Sequence, residues 1–414
     1  MKKWPFVLVL MLLLSACSSS KKWFATHNDL TIIPTQPIPR GANLNDPCSD
    51  NCQYAPDPNH LDYTPVRTLK ICFHIMNSDD STRNFKEAEA RVFLRDVLDC
   101  MNANLRENEK LRLPFGNNLP VLPVRYQYQL TAATDNPDDD GIYFHYSDST
   151  YYMTIVGKNA NNYSSKVTNQ LALRRDSVLN YFMMAHPRDS MRSRTYHPTI
   201  SGISIGGVVK IVGIFENRHP ICNYSGPFNH EIGHNLGLMH EWTPDNCKDT
   251  PEYTRTCFAP TDAPGCDTAV NNNVMGYNIW QKAWSPCQIG LMQRNFATLG
   301  SKQRSKLVPT WCDLNPSARI VIRDDIHWQS AKDIAGHIVI ESGGALHISC
   351  RVSLPKGARI VVKSGGKLTL ENCQLHNSCG EQWEGIVVQT KNGKKGDVIF
   401  IGNVQVNDAV HNIK

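Results

Sequence analysis

The chain has 414 residues, 41% hydrophobic and 20% charged, with a formal net charge of +5 and 14 cysteines. So small a charge over that length, with no dense basic stripe, excludes an electrostatic binder of nucleic acid; Lys391-Asn392-Gly393-Lys394-Lys395-Gly396 reads as a solvated loop. So many cysteines argue against a reducing compartment and for disulfides formed after export.

An export signal stands at the start. Lys2 and Lys3 precede an apolar run from Phe6 to Leu14 that is too short to span a bilayer, so residues 1–16 are expected to be a signal peptide. Leu14-Ser15-Ala16-Cys17 resembles a bacterial lipobox, which implies cleavage before Cys17, acylation of that cysteine and a stable membrane anchor. An ordinary secretory cleavage site is the alternative. Ser18 then favours the outer membrane of a diderm bacterium. Thirteen cysteines remain once Cys17 is lipidated, an odd number, so at least one is unpaired within the chain.

Residues 17–66 are polar and interrupted by Pro34, Pro37, Pro39, Pro47, Pro56, Pro58 and Pro65, the composition of an extended tether. Cys48 and Cys52 within it are expected to form disulfides; capping a metal as a latency thiolate is the sharper alternative. From Leu69 the pattern becomes globular. Leu69 to Ile75 alternates as a strand with one face in a core, and His74 on its other face reads as structural. Asn84 with Glu87 predicts a capping-box helix start, followed by Ala90, Leu94, Val97, Met101 and Leu105 on one face. Further strands are expected at 124–130, 142–144, 178–182 and 208–215. Residues 67–313 are expected to form a self-sufficient α/β domain, with the zone 222–312 stapled by some of its six cysteines.

His230-Glu231-Ile232-Gly233-His234-Asn235-Leu236-Gly237-Leu238-Met239-His240 is the most informative stretch. His230 and His234 lie one helical turn apart and face the same side. Gly237 can take positive φ, end the helix and bring His240 round as a third ligand. Three histidines leave a fourth position open, the pattern of a catalytic zinc site. Glu231 can reach a water there without ligating the metal. A buried helix with core histidines is the bland alternative.

The eleven residues resemble the zinc signature HExxHxxGxxH of the metzincin metallopeptidases. Asn271-Asn272-Asn273-Val274-Met275-Gly276-Tyr277-Asn278 looks like their methionine turn, with Met275 as a soft floor beneath the imidazoles. Tyr277 two residues after the methionine, Cys287 and a helix opening at Ser285-Pro286 are closest to the pappalysin family. Gly276, where that family commonly has Asp, departs from it, and so does the segment 245–268, which leaves a calcium site without a clear motif. The resemblance implies one zinc held by His230, His234 and His240, and a metzincin α/β fold of mixed sheet, zinc helix and methionine turn. It also implies endopeptidase chemistry on protein or peptide substrates, with Glu231 as general base. Tyr277 would sit beside the metal and support the intermediate; a core tyrosine is the alternative.

Residues 314–414 differ in kind. Ile338 to Ile348 recurs as Ile360 to Leu370, with Gly343-Gly344 and Gly365-Gly366 in register. A repeat of that length with short strands and glycine corners predicts an all-β domain, a parallel β-solenoid, with a two-sheet sandwich as its rival. Such a regular face suits binding a surface glycan or protein. Two other readings stay open: an adhesin with a vestigial peptidase fold, and an amidase acting on cell-wall peptides.

Overall fold

The computed structural model describes residues 20–34, 50–81, 84–155, 157–216, 219–250, 271–278 and 280–413. The signal segment with Cys17, Cys48 and the stretch 251–270 lie outside them. No helix among the described residues is long and apolar enough to cross a membrane.

In chain order, β1 (Ser20–Phe24) and β2 (Leu30–Ile33) precede β3 (Arg67–Asn77), α1 (Glu87–Arg106), β4 (Tyr126–Leu130) and β5 (Ile142–Tyr146). Then come α2 (Lys166–Leu171), β6 (Leu179–Met184), α3 (Arg188–Met191), β7 (Ser201–Ile205), β8 (Val208–Val212), α4 (Ser225–Asn235) and α5 (Pro286–Ala297). One sheet runs β4-β3-β6-β8-β7, with β5 also on β3, and every pair is parallel except β7–β8. A parallel sheet is covered on both faces. That explains why β3 is buried at nearly every position instead of alternating as expected. His74 is fully buried between Asn180 and His145, to which its ring nitrogens hydrogen-bond at 2.9 Å each, a structural role.

The predicted face of α1 is the buried one: Ala90, Leu94, Val97, Met101 and Leu105 enter the core with Phe228 and Ile232 of α4. Its predicted capping box is not formed. The helix starts after Lys86, and Asn84 Oδ1 instead accepts the Ser78 amide at 2.7 Å. At α5 the signal holds, because Ser285 accepts from the Gln288 amide and Gln288 reaches back to the Ser285 amide.

Beyond Asp313 the chain winds through three sheets whose successive rungs pair in parallel. One takes Ile320–Ile322, Ile338–Ile340, Arg359–Val362 and Trp383–Lys391; the second takes Asp325–Trp328, Ala345–Ile348, Lys367–Glu371 and Asp397–Ile401. The third takes the short strands from Lys332–Asp333 to Gln405–Val406. Register follows the sequence repeat: Ile338 pairs Ile360 and Ala345 pairs Lys367. Ile340, Leu346, Ile348, Val362, Leu368 and Leu370 fill the interior.

The region 17–66 is not a tether in its described parts. β1 adds antiparallel to Trp383–Lys391, and β2 adds parallel to Asp397–Ile401. These two strands cover ladder groups that the last turn would otherwise leave without hydrogen bonds, a need that outweighs their polar composition. Residues 51–54 form a 3-10 turn, which carries Cys52, against α5; Gly290 makes room there for the Asn51 carbonyl.

The two halves are knitted together. Asp333, 1% exposed, accepts from Arg304 at 2.5 Å and from Arg351 at 2.8 Å, while Arg67 lends its Nη2 to the Asp333 carbonyl at 2.7 Å. A disulfide, Cys312–Cys379, crosses the same junction.

Candidate active site

Helix α4 is fixed at its start by the Cys100–Cys222 disulfide, which ties α1 to the turn just before it. Its end is a Schellman motif: the Leu238 amide donates to Gly233 O at 3.0 Å and the Gly237 amide to His234 O at 3.0 Å. Gly237 has φ +98°, and a side chain there would also run into Asn295, whose amide holds Leu236 O at 2.7 Å. The turn therefore brings His240 back to the helix. The His234 and His240 rings lie 4.5 Å apart and those of His230 and His240 5.2 Å apart.

The three imidazoles fit a single metal ion. One ring nitrogen from each lies within 4.8 Å of the others. His230 Nδ1 faces Val274 O at 2.7 Å and His234 Nδ1 faces Leu238 O at 2.9 Å. Donating Nδ1–H to those carbonyls leaves each Nε2 lone pair for coordination. Burial, then the neighbouring His234, pushes the His230 pKa down to about 3, and burial lowers that of His234. Both rings are thus held in the neutral form a metal requires.

Glu231 is 7% exposed and its Oε2 has no hydrogen-bond partner among the described residues. Burial pushes its carboxyl up to about 8. It stands against β7, where a Cβ on Gly202 would come within 2.5 Å of Glu231 Cγ. Met275, fully buried, packs under the helix, and a Cβ on Gly233 would lie 2.5 Å from its sulfur. Tyr277 is 36% exposed, with its ring 4.8 Å from His240 and 4.3 Å from Trp242.

The structure also explains Gly276. A side chain there would collide with the Glu241 carboxylate, which is buried and hydrogen-bonded by the Asn271 amide. Sequence reading missed Glu241, and also missed Gln281, whose amide ties Val274 O and Gly276 O to shape the methionine turn. Trp242, stacked on His240 at 4.1 Å, was missed as well, although it stands two residues past the motif. Cys247–Cys287 pins the chain after His240 to α5. Asp249 beside that disulfide accepts the Cys287 amide at 2.8 Å, so this second cluster is used structurally. The segment in which a calcium motif was sought lies largely outside the described residues.

Residues 214–302 match Metallo-peptidase family M12B, Reprolysin-like. This portion of the chain is similar to a reprolysin-like metallopeptidase domain, and the stretch holds all three histidines, Glu231 and the methionine turn. No curated protein sequence matches the chain. Among solved structures, Tannerella forsythia mature mirolysin in complex with a cleaved peptide is similar at 18% identity and TM-score 0.41, over 58% of this chain and 95% of that one. A Tannerella forsythia promirolysin mutant is similar at 17% identity and TM-score 0.41, over 59% and 84%.

Proposed function

We propose that the protein is a zinc-dependent endopeptidase. The observation that carries this reading is the convergence of three imidazoles, two of them held neutral by burial, with a buried carboxyl oxygen that has no hydrogen-bond partner among the described residues, beside the edge of a sheet. His230, His234 and His240 would hold the zinc, which when bound supplies Lewis acidity toward water and the scissile carbonyl. Glu231 takes the proton of the attacking water and passes it to the departing amine. The Tyr277 hydroxyl, at the rim of the imidazole cluster, donates to the developing oxyanion. Met275 performs no chemistry and packs as a polarisable floor. β7 ends the order β4-β3-β6-β8-β7 and has no strand on its outer edge among the described residues, so that edge is suited to an extended peptide. The placing of Tyr277 and Cys287 supports a pappalysin-like subtype. In a purified His234→Ala variant, zinc content should fall from about one ion per chain to below about a tenth, with hydrolysis lost; metal analysis checks this, and full zinc occupancy would remove His234 from the ligand set.

The winding of residues 314–413 supports a parallel β-solenoid, with β1 and β2 as its terminal cap. We further propose that Cys17 is lipidated and that the protein sits in the cell envelope. β1 begins three residues beyond Cys17 in the sequence. A Cys17→Ser protein is expected in the soluble fraction; one that still sediments with membranes after a salt wash contradicts the lipid anchor.

A further inference from the structure

A cavity of about 170 Å³ adjoins the histidine cluster. Ser204, Gly206 and Gly207 at the β7–β8 turn form one wall, His234 another, and Lys302 and Lys306 a third. Its place along a bound peptide follows from the strand. β7 passes Glu231 at Gly202 and reaches the turn at Gly206 roughly 13 Å further on, at about 3.3 Å per residue. A peptide lying antiparallel to β7 therefore sends the residues before its scissile bond toward this cavity.

The cavity is electropositive. Lys306 is 5% exposed, its ammonium donates to the Lys302 carbonyl at 3.2 Å, and a Cβ on Gly207 would lie 3.7 Å from its Nζ. Arg175 reaches the same turn, donating to Gly206 O at 3.0 Å. Burial lowers the Lys306 pKa; Asp176 is the strongest single charge on it and opposes the shift, while Lys302, Arg175 and Lys70 add to it. None of the ion pairs among the described residues involves Lys70, Arg175, Lys302 or Lys306. The buried Lys306 ammonium has three cations and one carboxylate, Asp176, acting on it and no partner at ion-pair distance among the described residues, and a carboxylate entering the cavity would supply that direct partner.

We infer that this cavity is a substrate subsite for an acidic side chain within about four residues on the amino-terminal side of the scissile bond, with Lys302 and Lys306 as its counter-charges. The inference rests on the endopeptidase reading and specifies its substrate class. Asp or Glu is favoured there over a neutral isostere by charge, and Lys or Arg is rejected by repulsion.

The test uses the zinc-loaded full chain and fluorogenic peptides carrying Glu, Gln or Lys in turn at each of the four positions before the cleaved bond. At one position Glu should exceed Gln in kcat/KM by about tenfold or more, and the preference should shrink in high salt. Lys302 is exposed, so Lys302→Glu should fold and should shift the preference toward Lys. Equal rates for all three residues at every position overturn the subsite. If the zinc-loaded protein cleaves no peptide and no denatured protein, the endopeptidase reading fails instead, and binding decides the subsite. Glu231→Gln protein should then bind the Glu peptide more tightly than the Gln peptide by fluorescence anisotropy, and Lys302→Glu should abolish the difference. Indistinguishable binding overturns it.

Discussion

Replacing Glu231 with glutamine should leave the protein folded and zinc-loaded yet lower peptide hydrolysis by about 100- to 10,000-fold, the usual contribution of a positioned general base. The amide keeps the shape that fits against Gly202 and cannot accept the proton of water. Glu231 is one residue from His230, a proposed metal ligand, so retention of zinc is the control that separates loss of the base from loss of the site. Assay of a denatured protein substrate with parallel metal analysis checks it. A zinc-loaded variant cleaving at near wild-type rate would assign the base to another group.

The largest effect on stability is expected at Asp333. Its carboxylate is buried, and burial alone would raise its pKa; Arg351, Arg304 and Arg67 outweigh that and hold it well below the usual carboxylate range. Asp333→Ala strands three buried guanidinium groups, and breaking a buried pair in this way costs about 3–5 kcal/mol. The sign of the pH dependence follows. A carboxyl whose folded pKa is depressed contributes its stability above the unfolded value, near 4, and loses it as pH falls further. The wild type should therefore lose stability steeply below about pH 4, and Asp333→Ala should show a flatter acid limb. Thermal and denaturant melts at several pH values check this; a variant as stable as the wild type at pH 7 would mean that the cluster carries no net stability.

This cluster also bears on the expectation that residues 67–313 form a self-sufficient unit. Arg67 and Arg304 lie inside that range, whereas Asp333, Arg351 and Cys379 lie beyond it. A chain cut at Asp313 leaves two buried cations without their counter-charge. Arg67 and Asp333 are 266 residues apart, and no local pattern links them. β7 was missed for a related reason. Ser201-Gly202-Ile203-Ser204-Ile205 is rich in small residues, and it becomes a strand through its pairing with β8. β1 and β2 likewise are strands because the last turn of the β-stack offers them an edge. By contrast, His230, Glu231, His234, Gly237 and His240 were legible because one helical turn and one positive-φ residue encode their arrangement within eleven positions. The face of α1 was legible for the same reason, but its start was not, since Asn84 is drawn away by Ser78.

The central claim is that the histidine cluster holds a zinc ion on which hydrolysis depends. The most direct measurement is cleavage of a denatured protein by the purified full chain, before chelation, after chelation and after zinc is restored. The account predicts about one zinc per chain, loss of cleavage on removal and recovery in proportion to the zinc restored. Cleavage that persists in the metal-free protein would contradict it.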